Sequence, residues 1–150
     1  MAHILILKSN QSNELVRSML CTAVDVVKSY GHTYDELQVP SVKELPLALN
    51  SFTESHHYEA TICLGIMHPN LCEDSKIHYV EIVKCFYEYT TYFGHLIGQA
   101  IVYNDLDKIN ITDVTAFTQE IATNICEFIK LNRDLNSIEG TRYRIDTPHN

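Results

Sequence analysis

The chain has 150 residues, 45% of them hydrophobic and 20% charged, the size and composition of one globular domain with a sizeable core. Its formal net charge of −8 argues against a nucleic-acid-binding surface, which needs clustered Lys and Arg. No stretch approaches the roughly 18 apolar residues of a membrane span, and Met1 to Leu7 lacks the basic region and long apolar run of a secretory leader.

Ile4 to Leu7 is a short continuous apolar run, the pattern of a strand covered on both faces. Ser12 or Asn13 can cap the helix that follows, with a core stripe of Leu15, Met19, Leu20, Ala23, Val27 and Tyr30 and a stop at Gly31. Leu37 to Val39 reads as a second strand ended by Pro40. Glu44-Leu45-Pro46 opens a second helix, because Pro is tolerated in a first turn; Leu45, Leu49 and Phe52 form its inner face. Ala60 to Leu64 is the third strand, with Gly65 as a sharp turn before a loop carrying Pro69 and Asn70. A long helix is expected from about Ser75 to Phe93, apolar at Val80, Val83, Phe86 and Tyr87 and ended by Gly94.

Ile97 to Val102 is the fourth strand, and a polar loop from Asn104 to Asn110 follows. The last helix is expected from about Thr112 to Leu131, with Val114, Phe117, Ile121, Ile125, Phe128 and Ile129 on one stripe. The core thus spans about residues 3–131 of a single domain, and residues 132–150 read as a polar tail. Strands alternating with helices predict an α/β fold: a three-layer, flavodoxin-like sandwich around a four-stranded parallel sheet. Ligands of such folds gather beyond the carboxyl ends of the strands, here residues 8–12, 40–44, 65–75 and 103–112.

The five cysteines, Cys21, Cys63, Cys72, Cys85 and Cys126, are odd in number and contain no Cys-x-x-Cys pair. They read as reduced thiols of a cytoplasmic protein. No phosphate-cradling glycine loop and no Gly-x-Ser-x-Gly is present, so neither a nucleotide cofactor nor α/β-hydrolase chemistry is indicated. The adjacent His56-His57 pair lacks a zinc-site spacing, and no metal site is expected. Glu44, an acid in a first helical turn, either complements the helix dipole or accepts hydrogen bonds from a polyol ligand. Asp74 and His78, four apart, are either a surface pair or an acid–base dyad, with Lys76 as the nearest cation.

Val39-Pro40-Ser41-Val42-Lys43-Glu44-Leu45-Pro46-Leu47-Ala48 resembles a Val-Pro-Gly-Ala/Ser-aromatic-Glu-Ile/Leu-Pro-Leu-Ala block. Tyr58-Glu59-Ala60-Thr61-Ile62-Cys63-Leu64-Gly65 resembles Tyr-Asp-Ala-Val-Ile-Ala-Leu-Gly, Glu81 and Lys84 fit Glu-x-x-Lys, and Asp105 fits Leu-Thr-x-Asp. These are blocks of the 6,7-dimethyl-8-ribityllumazine synthase family, which the chain resembles from about residue 3 to residue 130. The resemblance implies the lumazine synthase fold and the condensation of 5-amino-6-ribitylaminouracil with 3,4-dihydroxy-2-butanone 4-phosphate. The reaction, a step of riboflavin biosynthesis, needs no cofactor or metal, and its sites lie between subunits of a homopentamer.

Carried over by position, Glu44 is the ribityl-binding carboxylate, with backbone groups of Val42 and Lys43 beside it. Ile66, Met67 and His68 occupy the strand-end positions that line the pyrimidine pocket. Gln11 stands where the family has a stacking aromatic, Lys43 where its motif has an aromatic, and Gln99 where its fourth strand has Phe. The family loop Arg-Gly-Glu/Ala-Thr-x-His reads Pro69-Asn70-Leu71-Cys72-Glu73-Asp74, so Asp74 replaces the catalytic His and His78 is the remaining proton carrier. The family's further Arg and Lys have no clear equivalents; Asp113 lies near the first. A phosphate dianion needs cations or convergent N–H donors, and Glu73 with Asp74 would repel it. Two readings follow: a lumazine synthase with a rebuilt, impaired phosphate site, or an inactive scaffold or ligand-binding protein. A flavodoxin-like receiver is disfavoured by Lys8-Ser9-Asn10, which stands where that site would want acids. Larger shells of the family it resembles use an N-terminal extension, and the first strand here begins two residues into the sequence, so the resemblance implies a pentamer or decamer over a sixty-subunit shell.

Overall fold

Four strands, β1 (His3–Ser9), β2 (Thr33–Val39), β3 (Ala60–Met67) and β4 (Leu96–Tyr103), alternate with four helices, α1 (Asn13–Ser29), α2 (Leu45–Ser55), α3 (Ser75–Phe93) and α4 (Ile111–Thr141). The computed structural model describes residues 1–10, 13–55, 57–69 and 73–141. The strands form one all-parallel sheet in the order β2-β1-β3-β4. Ile6 pairs with both Glu36 of β2 and Ile62 of β3, and Cys63 of β3 pairs with Gln99 of β4.

Alternation along the inner strands sends side chains to two separate cores. Ile4, Ile6, Ala60, Ile62, Leu64 and Ile66 pack under α1 and α4, against Met19, Val27, Ile125 and Ile129 among others. Leu5, Leu7, Cys63 and Met67 pack on the opposite face, against Leu45, Leu49, Ile82 and Phe86 of α2 and α3. All residues of β3 are buried, as expected of a parallel strand with helices on both faces. The α/β three-layer expectation holds.

Several boundaries differ from the sequence reading. β2 begins at Thr33, not Leu37, because it is an edge strand whose Thr33, Asp35, Glu36 and Gln38 face solvent and mask its apolar signal. β3 runs on to Met67, so Gly65 is a strand residue and not a turn. Glu44 ends a short 3-10 turn, Val42–Glu44, and α2 starts one residue later. On α3 the inward stripe is Ile82 and Phe86, while Val80 and Tyr87 are 50% and 65% exposed. Phe128 of α4 is likewise exposed. α4 continues through 132–141, which read as the start of a tail, because nothing there stops a helix and the first Pro comes at Pro148. Gly94 does end α3, in the left-handed conformation at φ 63. The calls on Gln11, Ser12, His56, Asn70, Leu71, Cys72 and residues 142–150 lie outside the described residues.

His95 enters the sheet at the amino end of β4, its Nε2 2.8 Å from Thr61 Oγ1 and its ring edge-on to Tyr89. Burial holds its pKa below the ordinary histidine value near 6.5, and His32 is lowered for the same reason, helped by Arg133. The unfolded chain therefore binds these protons more readily than the folded one. The associated stability is complete above about pH 6.5 and is lost as pH falls below it. Urea unfolding midpoints are expected to drop between pH 7.5 and 5.5, and to drop less in His95→Gln.

Candidate functional site

At the carboxyl edge of the sheet the backbone is stapled across strands. Asn10 N–H donates to Val39 O at 2.9 Å, joining the ends of β1 and β2, and Asn104 N–H donates to Met67 O at 3.1 Å, joining β3 and β4. Pro40 cannot extend the ladder, and Ser41 is extended (φ −153, ψ 173) before the 3-10 turn. Within that turn Glu44 N–H donates to Ser41 O at 3.2 Å, and Ser41 Oγ donates to Glu44 Oε1 at 2.5 Å. Glu44 is half-buried, so its carboxylate is oriented by Ser41 yet keeps acceptor capacity toward the sheet's open end.

The turn is seated by Val42, which is 1% exposed and lies directly over Gly65 of β3. A Cβ on Gly65 would stand 2.7 Å from Val42 Cγ2 and 3.1 Å from Ser9 Oγ, inside van der Waals contact. Gly65 thus permits a close approach that fixes where Glu44 sits relative to β1 and β3. Lys43, between these two residues, is exposed.

The other sequence-derived residues scatter around this point. The side chains of Ile66 and Met67 enter the two opposite cores, so what they offer at the strand end is backbone. His68 is half-buried just beyond β3. Asp74 is exposed at the N-cap of α3 without a side-chain capping bond, and it meets His78 through the helical backbone, His78 N–H to Asp74 O at 3.0 Å. Among the described residues no side-chain bond joins the two. Gln99 lies apart from Glu44, separated by β3. It opens into a groove of about 360 Å³ on the free side of β4, between α3 and α4, with Tyr79, Val83 and Phe117.

Sequence reasoning missed the brace at the start of α3. Ser75 is buried; its Oγ donates to Pro69 O at 2.6 Å and lies 3.1 Å from Tyr103 Oη, while Tyr103 stacks on Tyr79 at 4.8 Å. Tyr79 and Tyr103 belong to elements distant in sequence, and Ser75 resembles an ordinary helix-start residue, so no local pattern announces the contact. Among the described residues, no cluster of His, Cys, Asp or Glu could hold a metal ion, and no helix is long and apolar enough to cross a membrane.

The 6,7-dimethyl-8-ribityllumazine synthase family model matches residues 1–129, and the chain belongs to that family. No curated protein matches it. The match ends within α4, so residues 130–141 continue the helix beyond the matched region.

Gly65→Ala is expected to lower stability by about 1–3 kcal/mol through overpacking against Val42, and to displace the Glu44 turn. Denaturant melts together with amide shifts at residues 41–45 check both effects. An unaltered turn would show that Gly65 does not set its seat.

Proposed function

We propose that this family member condenses 5-amino-6-ribitylaminouracil with 3,4-dihydroxy-2-butanone 4-phosphate to 6,7-dimethyl-8-ribityllumazine, with altered handling of the phosphate. The observation that carries this reading is the seated turn: Val42 packed on Gly65 places the Glu44 carboxylate at the carboxyl ends of β1 and β3. There Glu44 accepts hydrogen bonds from ribityl hydroxyls, and backbone groups of Val42, Lys43, Ile66 and Met67 flank the ring. The substrate's amine adds to the ketone and expels water, phosphate leaves, and the ribitylamino nitrogen closes the ring with loss of a second water. His78 carries protons in these steps, from the first turn of α3, with Asp74 at that helix's cap. Gln11 and Gln99 provide hydrogen bonding where an aromatic would stack, which lowers affinity for the ring.

Gln99 lines a groove along the edge strand β4, beyond β3 from its own chain's Glu44, which supports a site completed by a second copy. Ile77, Val80 and Tyr87 leave an apolar face of α3 exposed, which supports the same arrangement. A homopentamer or a decamer of two pentamers is the assembly proposed, in the cytoplasm. A second reading, a non-catalytic scaffold or ligand-binding protein, is favoured by exposed Glu73 and Asp74 at the start of α3, where an incoming phosphate would meet repulsion.

Incubating the purified protein with both substrates is expected to give slow lumazine formation, followed by its absorbance. Glu44→Ala should weaken binding of an unreactive ribitylpyrimidine by about ten- to a hundredfold, the loss expected for a charged hydrogen bond. His78→Ala should lower kcat far more than it changes KM. Ribitylpyrimidine binding without turnover would select the scaffold reading. Unchanged affinity in Glu44→Ala would remove the ligand-binding role of that carboxylate.

A further inference from the structure

Where β1 and β2 end, on the side of the sheet covered by α1, a cleft of about 180 Å³ is lined by Lys8, Ser9, Asn10, Val16, Arg17 and Gln38. Its wall is predominantly polar, and it contains two cations and no carboxylate. Arg17 is exposed on α1 and forms no ion pair among the described residues. Lys8 is held only loosely, 3.8 Å from Glu36, with its side chain one-fifth exposed at 21%. The cavity at the end of β4 differs: there Lys108 shares the wall with Asp113 and pairs with Asp105 at 3.4 Å.

A second observation concerns Ser9. It is 1% exposed, and its Oγ is the buried side-chain polar atom without a hydrogen-bond partner among the described residues. Buried hydroxyls are ordinarily satisfied, so an orphan at a strand's carboxyl end calls for a partner. The hydroxyl lies beside Gly65, where the Glu44 turn meets the sheet, on the face opposite the Lys8 side chain, so Ser9 borders the cleft without pointing its hydroxyl into it. The end of β1 therefore carries the cleft on one face and the Glu44 turn on the other.

We infer that this cleft is an anion subsite that takes a phosphate group, as the free ion or as a monoester. The Arg17 guanidinium grips two phosphate oxygens, a geometry that suits its planar fork. Lys8 swings from Glu36 to a third oxygen, and the side chains of Asn10 and Gln38 add neutral donors. This gives the chain a phosphate-binding place on the α1 side of the sheet, away from the acidic start of α3. That the phosphate belongs to the four-carbon ketose rests on the proposed function; anion binding itself does not.

Titrating inorganic phosphate at constant ionic strength, with chloride as the balancing salt, tests the subsite. Thermal melts and phosphorus-31 line widths are the readouts. Wild type is expected to show saturable stabilisation and broadening. Arg17→Gln, a surface change that leaves the fold intact, should weaken phosphate affinity about tenfold or more. Lys108→Gln should leave it unchanged. No saturable effect in wild type, or equal affinity in Arg17→Gln, overturns the subsite. If Arg17→Gln leaves phosphate binding intact while Glu44→Ala abolishes ribitylpyrimidine binding, the subsite falls and the proposed function stands. If phosphate binding needs Arg17 while ribitylpyrimidine binding ignores Glu44, the subsite stands and the proposed function falls.

Discussion

The structure depends on β3 being buried along its whole length. Each face of this strand supports a different helix pair, and each edge pairs with a different strand. A parallel sheet needs cover on both sides because crossover helices are the only connections that fit it. Ile62, Leu64 and Ile66 supply one core, Cys63 and Met67 the other, and no polar side chain interrupts the strand except Thr61. The cost of Thr61 is offset by its bond to His95 at 2.8 Å. Fully burying one large aliphatic side chain contributes about 1.5–3 kcal/mol, so the strand anchors both layers before any loop is placed.

The position of Glu44 follows from that anchor. Gly65 is the place in β3 where a missing side chain lets another segment approach. Val42 fills the space, and its burial holds a 3-10 turn that would have little stability of its own. The Ser41 hydroxyl then orients the Glu44 carboxylate from within the same turn. Carboxylate placement is therefore a packing result: a hydrophobic contact fixes the backbone, and a local hydrogen bond fixes the side chain. A carboxylate held by one neutral donor stays available to ligand hydroxyls, unlike one neutralised in a salt bridge.

Much of this was legible in the sequence because the governing patterns are local. The apolar runs at 4–7 and 60–64 and the Pro-bounded turn at 40 announce their elements directly. β2 was shortened because an edge strand needs only one apolar face. Gly65 was read as a turn because the sequence does not distinguish a glycine chosen for φ from one chosen for closeness. The apolar positions of α3 do not declare which way they face, because an exposed apolar stripe such as that of Val80 and Tyr87 has the same periodicity as one facing its own core. The residues that brace the start of α3, Ser75, Tyr79 and Tyr103, were invisible because their contacts join distant parts of the chain. Glu44 was found by its motif, whereas the partnerless hydroxyl of Ser9 has no signature outside the folded packing.

Charge placement sharpens the functional argument. In a chain of net charge −8, an anionic ligand experiences a repulsive average field, and it binds only where cations converge locally. Around the start of α3 the exposed groups are Glu73 and Asp74, and Lys76 alone opposes them within the first turn. On the opposite side of the sheet, Lys8 and Arg17 line one polar cleft, and the nearest acid to the Lys8 ammonium is Glu36 at the long distance of 3.8 Å. A loose pair of this kind contributes little to stability, so giving it up for a phosphate dianion costs little. The polar anchor for hydroxyls and the cationic cleft flank the end of β1, the strand between β2 and β3, on opposite faces of the sheet.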